Sequence, residues 1–279
     1  MPEFSTPEPI LAVIEFSVGD ARITATDRDD TVAEVRPSNP DDDEDIRAAE
    51  QTRIEYAAGR LLVKGPKQRS IFGKGGSIDV LVELPAASRL QAHCGMGAFR
   101  VDGPLGDSRV ESGAGDIMID QAGAVDVTTG AGAITVNEVS GSADVTTASG
   151  RVKLGHVTGR AVVKSSNGEI WIGSAEGDLR VRTANGGVDV DHAGANVDAS
   201  TANGDLRVGG LTQGHVTMKT GFGAIAIGVQ DGTAAKLDVH TTFGKFRNEM
   251  QASDQPGPAD RTVEVYARTS YGDITIHRS

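Results

Sequence analysis

Three aspartates, Asp126, Asp144 and Asp198, stand at one position of a sequence phrase that recurs every 18 residues. If equivalent residues stack on adjacent strands, about 5 Å apart, Asp126 and Asp144 have the spacing of the two carboxylates of a retaining glycosidase. Val162 and Arg180 interrupt the column, so a carbohydrate-active β-helix enzyme is carried as an alternative. His156 and His192 also share a position, with Ser174 between them. Two strand spacings, roughly 9.6 Å, is too far for one metal ion. The remaining histidines, His93, His215, His240 and His277, fall at other positions. A calcium-binding roll would need Gly-Gly-x-Gly-x-Asp at every turn and one inward residue per half-coil, whereas this chain has two and no aspartate column at the corners. Cys94 is the lone cysteine, which excludes an internal disulfide and a multi-cysteine metal site. These readings assign no catalytic residue, no metal and no cofactor.

Recognition chemistry is better represented. Arg160, Lys164, Arg180 and Arg182 are expected to project outward from two adjacent repeats, bordered by Asp144, Asp178 and Asp198. Lys153 should neighbour Trp171, the sole tryptophan, at a position that faces solvent. Exposed Trp and Arg are typical interface anchors, and the Lys–Trp pair also fits a cation–π contact. The partner expected is another protein, or a second copy of the chain. A net charge of −12 and a pI near 4.9 argue against nucleic acid, which demands a basic face.

The element that must position these residues is the phrase itself: a small or hydroxylated residue, two variable positions, then Gly-x-hydrophobic-x-hydrophobic. It reads SGAGDIMI at 112–119, SSNGEIWI at 165–172 and TANGDLRV at 201–208, among others. Its glycines, from Gly97 through Gly115, Gly132, Gly150, Gly168, Gly186 and Gly204 to Gly223, are spaced 17 to 19 residues apart, with longer steps to Gly244 and Gly272. So short a fixed period means a stacked array. Apolar residues two and four after each glycine, such as Ile170 and Ile172, and seven and five before it, such as Ala161 and Val163, alternate with polar ones, which means two strands per coil. The chain is therefore read as an all-β, single-domain parallel β-solenoid of about 18 residues per coil. Three before the glycine, Ser or Thr recurs as a hydroxyl ladder. One before it, Asn167, Asn185 and Asn203 give way to Phe222, Phe243 and Tyr271, with Phe72 and Met96 in the corresponding place at the other end.

Flanking segments complete the plan. Residues 1–9 are expected to be disordered, 10–93 to form irregular coils with a capping helix at about 40–51, 94–248 the regular repeats, 249–261 an exposed loop and 262–279 the last coil. Pro40 and the acidic run that follows fit a helix start. No apolar run approaches 18 residues and the segment 10–16 follows an acidic start, so neither a signal peptide nor a membrane span is expected, and the cytoplasm is the default compartment.

The GDARITA strand (19–25), the segment DIRAAEQTRIEYAAGRLLVKGPK, the IFGKGGSIDVLVELP stretch and the tandem T-x-N-G-x-hydrophobic-x-hydrophobic coils resemble the bacterial "putative adhesin" β-strand-repeat family, a domain of unknown function, in its actinobacterial type. The resemblance spans roughly residues 10–279. It implies a right-handed β-solenoid with no established catalytic residues to carry over. The function expected is a non-enzymatic, intracellular interaction or scaffold module, with a self-assembling filament as a further alternative.

Overall fold

A computed structural model describes residues 2–66, 76–250 and 261–279. Phe72 and most of the 249–261 loop lie outside them. The chain is an all-β parallel solenoid, with one short helix among the described residues, and it forms two compact units, residues 1–140 and 141–279.

In the second unit the strands before each corner glycine form one ladder and those after it another. Before the corner, Ala143, Ala161, Leu179, Val197 and Val216 follow one another in register. After it, Val152, Ile170, Val188, Leu206 and Ile225 do the same. All ten are buried. The predicted stacking of like residues is thus the packing principle of the core. The corner needs glycine because of how closely windings approach. At Gly186 φ is +136°, and a Cβ would run into the carbonyl oxygen of Gly168 in the preceding coil.

The core holds more than the four inward residues per coil that strict alternation gives. The hydroxylated residue before the corner is also buried, as at Thr201 and Thr220. A further column, Val157, Ala175, Ala193 and Leu211, lies seven residues after each glycine and is continued in register by Val229, six after Gly223. From Val157 to Leu211 the step of three from the preceding inward residue breaks the period of two.

Sequence order is not spatial order at the end of this unit. The strands Arg261–Tyr271 and Ile274–Arg278 slot between those of the 214–229 coil and the strands Thr233–Phe243 and Phe246–Asn248. The chain's last coil is therefore interior, and the 233–248 coil is outermost.

The first unit repeats this device. The strand Leu11–Thr26 turns a corner at Gly19, where φ is +132°. Its first half lies between Arg60–Lys64 and Arg89–Met96, and its second half between Ile78–Pro85 and Phe99–Pro104. The coils at 108–122 and 125–139 continue the stack. The outer side is closed by antiparallel strands, Asp30–Pro37 against Ile78–Pro85 and Arg53–Ala57 against Arg60–Lys64.

The N-terminus is not disordered. Glu3–Ser5 pairs antiparallel with the strand Asp30–Pro37, and Thr6 Oγ1 lies 2.8 Å from Thr31 Oγ1 with both residues buried. Three residues are too few to show a period, and their partners are remote in sequence. The helix spans Asp43–Gln51, starting later than expected because Asp42 is its N-cap, accepting from the Glu44 N–H at 2.8 Å. It packs Ala48 inward against the strands Asp30–Pro37 and Ile78–Pro85. Asp45, read as part of a solvated acidic run, accepts from the Ser77 N–H at 2.6 Å and the Asn39 N–H at 3.0 Å.

Candidate interaction surface

Trp171 stands on the outward side of the strand Ile170–Ala175, in a column with Lys153 before it and Asp189 and Arg207 after it. Lys153 Nζ lies 5.1 Å from the centre of the indole. A Cβ on Gly173 would come within 3.0 Å of Trp171 Cη2, so the ring lies over this glycine and is half-buried, not fully exposed as its outward position suggested. Arg207 donates to Asp189 at 2.6 Å. The indole thus lies beneath the Lys153 cation and over a floor that glycine leaves open, with the Asp189–Arg207 pair next along its column.

The basic patch divides. Val162 and Arg180 are register neighbours, as are Lys164 and Arg182. Both arginines reach Asp198 Oδ2, Arg180 Nε at 3.2 Å and Arg182 Nη2 at 3.6 Å. Arg160 and Lys164 are exposed. Val162 is 6% exposed despite facing outward. Asp126 is 3.5 Å from Arg109, so two of the three aspartates first considered for catalysis hold arginine. His156 and His192 flank Ser174 in register, as the repeat implied, and His156 Nε2 lies 3.3 Å from Glu176. No cluster of His, Cys, Asp and Glu among the described residues could hold a metal ion.

Two polar ladders line the corner. Asn185 Nδ2 donates to Asn167 at 3.0 Å, and Asn203 Nδ2 to Asn185 at 2.9 Å. The column then becomes aromatic: Phe222 and Tyr271 stack with centroids 4.9 Å apart, and Tyr271 and Phe243 at 4.8 Å. Inside it, Thr220 Oγ1 donates to the Gly204 carbonyl at 2.9 Å and Thr269 Oγ1 to that of Gly223 at 3.0 Å. Cys94 joins this ladder as a buried thiol 3.3 Å from Ser112 Oγ, and burial pushes its pKa up. That is the environment of an inert structural cysteine.

Two features escaped the sequence reading. The aspartate that follows a corner glycine accepts from the corner N–H of the neighbouring winding: Asp20 from Ala98, Asp116 from Ala133, Asp205 from Ala224 and Asp273 from Lys245, at 2.7 to 2.8 Å. The Gly-Asp dipeptide was the available signal. Arg268 lies 3.9 Å over the Tyr266 ring and donates to Asp238 at 2.7 Å. That cluster was illegible because it depends on the displaced order of the last coils.

Elsewhere carboxylates sit beside cations. Hydrogen bonding from Arg109 holds Glu111 below the usual carboxylate range, and Lys64 does the same for Glu15.

The family profile described as Toastrack DUF4097 matches residues 13–279. The chain belongs to the Toastrack family. Among solved structures it is similar to a "putative adhesin" from Parabacteroides distasonis, at 15% identity and a TM-score of 0.44, covering 100% of this chain and 95% of that one. It is similar to a "putative adhesin" from Bacteroides fragilis at 12% identity and a TM-score of 0.31, covering 99% and 95%. A "putative cell adhesion protein" from Clostridium sporogenes aligns at 11% identity and a TM-score of 0.26, covering 100% and 99%. No curated protein matches the chain. No helix of this Toastrack chain, among the described residues, is long and apolar enough to cross a membrane.

Proposed function

We propose that this Toastrack chain is a non-enzymatic interaction module that binds a protein partner through the outward face bearing Trp171. The observation that carries the reading is the seating of Trp171: an aromatic with Lys153 over its ring and Gly173 beneath it, followed in its column by the Asp189–Arg207 pair. A rigid aromatic loses little freedom on binding and offers a large apolar area beside charge, the composition of a hot spot. Arg160, Lys164, Arg180 and Arg182 would supply a charged rim on the ladder before the corner. Engagement of Asp126 by Arg109 and of Asp198 by Arg180 and Arg182 supports a structural use of the outward carboxylates. A scaffold inside the cell is the form of this reading that a chain with one buried cysteine favours.

The test is capture from the native cell by the intact chain and by Trp171→Ala. Because the indole is half-buried on an outer face, truncation should cost about 1 kcal/mol of stability and lower the melting temperature by a few degrees at most. Partner capture should fall tenfold or more. Undiminished capture, or collapse of the fold, would remove Trp171 from the binding role.

A further inference from the structure

Among the described residues of 141–279, the outermost winding has no strand on its outer edge. Among the described residues, Thr233–Phe243 pairs only with Arg261–Tyr271, and Phe246–Asn248 only with Ile274–Arg278. The core is open there too. On the interior coil the inward residues Val263, Val265 and Ala267 are at most 2% exposed. Their register partners Ala235, Leu237 and Val239 are only half-buried, and Phe246 is 47% exposed. Solenoids commonly blunt such an edge with an inward charge, a proline or a very short strand. This edge strand has 11 residues, no proline and no charge at its inward positions from Ala235 to Thr241. Its charged residues Lys236 and Asp238 point outward and are held by Glu264 and Arg268 of the neighbouring strand.

We propose that Thr233–Phe243 pairs antiparallel with the same strand of a second copy of this chain, about a two-fold axis at Val239, closing a dimer. The proposal rests on the reading that the chain works by non-covalent contact, and it adds a partner and a surface. The choice of a second copy rests on self-complementarity. An antiparallel strand opposed to itself about Val239 sets Asp238 against His240 of the other copy, in both directions. Leu237 then meets Thr241, and Ala235 meets Phe243. Shifting the axis to Asp238 would oppose two carboxylates, which is destabilising. Pairing of this edge with the outer strands of residues 1–140 in another copy, which could repeat into a filament, is disfavoured because those strands, Glu3–Ser5 and Arg53–Ala57, have only 3 and 5 residues. Like edge fits like edge, and an isologous contact closes on itself.

Sedimentation of the intact chain over a wide concentration range should show a monomer–dimer equilibrium. Val239→Lys, which sets a charge at the apolar mouth, should weaken dimerisation about tenfold or more while leaving the circular dichroism spectrum unchanged. Val239→Cys, a change of similar volume, should yield a covalent dimer on mild oxidation. Self-opposed residues on antiparallel strands have Cα atoms about 4.5 to 5.5 Å apart, within disulfide reach. The wild-type chain, whose one thiol is buried, should not cross-link. A monomer at every concentration, growth beyond a dimer, or a dimer indifferent to Val239→Lys would overturn the proposal. So would a dimer that appears only when residues 251–260 are replaced by a Gly-Ser linker, since that segment would then be the native occupant of the edge. Trp171→Ala should leave dimerisation unchanged, so loss of partner capture and loss of the dimer are separate results.

Discussion

Hydroxyls buried three residues before each corner glycine need an acceptor inside the winding, and most find a glycine carbonyl one coil away. Thr220 does so at 2.9 Å, whereas Ser165 Oγ is buried with no partner among the described residues. The two positions should therefore respond oppositely to removal of the hydroxyl. Thr220→Val keeps the shape but loses the bond, at a cost of about 1 kcal/mol. Ser165→Ala removes an unsatisfied polar atom and should be neutral or stabilising. Urea denaturation of both variants checks this, and equal losses would show that the hydroxyls act by packing alone. The ladder and the asparagine column were readable because they recur at a fixed offset from glycine. The corner aspartates were not, because Ala133, Arg151 and Gly187 occupy the same offset in other windings, and each aspartate acts on its own neighbour without forming a column.

Strands were the most legible elements. Alternation placed Ile170 inward, and it is 1% exposed between Val152 and Val188 in register. Ile170→Asp would bury an unpaired carboxylate among aliphatic side chains and should cost more than about 4 kcal/mol. Chemical denaturation followed by circular dichroism measures it, and wild-type stability would contradict the inward assignment. What alternation could not show was the column from Val157 to Leu211, because a step of three changes the parity of inward residues there. The closing strands Asp30–Pro37 and Arg53–Ala57 were missed for a related reason. They pair antiparallel outside the repeat, so no periodic neighbour announces them.

At the scale of the molecule, the acid response follows from the carboxylates that accept from Arg or Lys. Glu15, Asp30, Glu34 and Glu111 all titrate below their ordinary values because of such bonds. Each has a lower pKa folded than unfolded. The stability it contributes is complete above the unfolded value of about 4 and is lost as pH falls through the lower folded value. Solvent screening keeps each contribution small. The melting temperature should hold from neutrality to about pH 4.5 and then fall, and a rise below pH 4 would contradict the sign. Composition and period revealed the solenoid over nearly the whole chain. They could not reveal that the 233–248 coil lies outside the last coil, because a 28-residue step between Gly244 and Gly272 is compatible with either order.

That displaced order bears on synthesis. The 233–248 coil is made before residues 261–279, yet among the described residues its strands pair with the stack only through them, Thr233 alone reaching past them to the Thr212 carbonyl at 3.0 Å. Until Arg261–Tyr271 has left the ribosome, the strand Thr233–Phe243 lacks its native neighbour, and Phe246–Asn248 waits longer, for Ile274–Arg278. The strand Leu11–Thr26, the first long one translated, meets the same delay, because its neighbours on both sides are made after it. Completion of either unit is thereby tied to chain that emerges later, and a nascent fragment ending before residue 261 holds an apolar coil with nowhere to go.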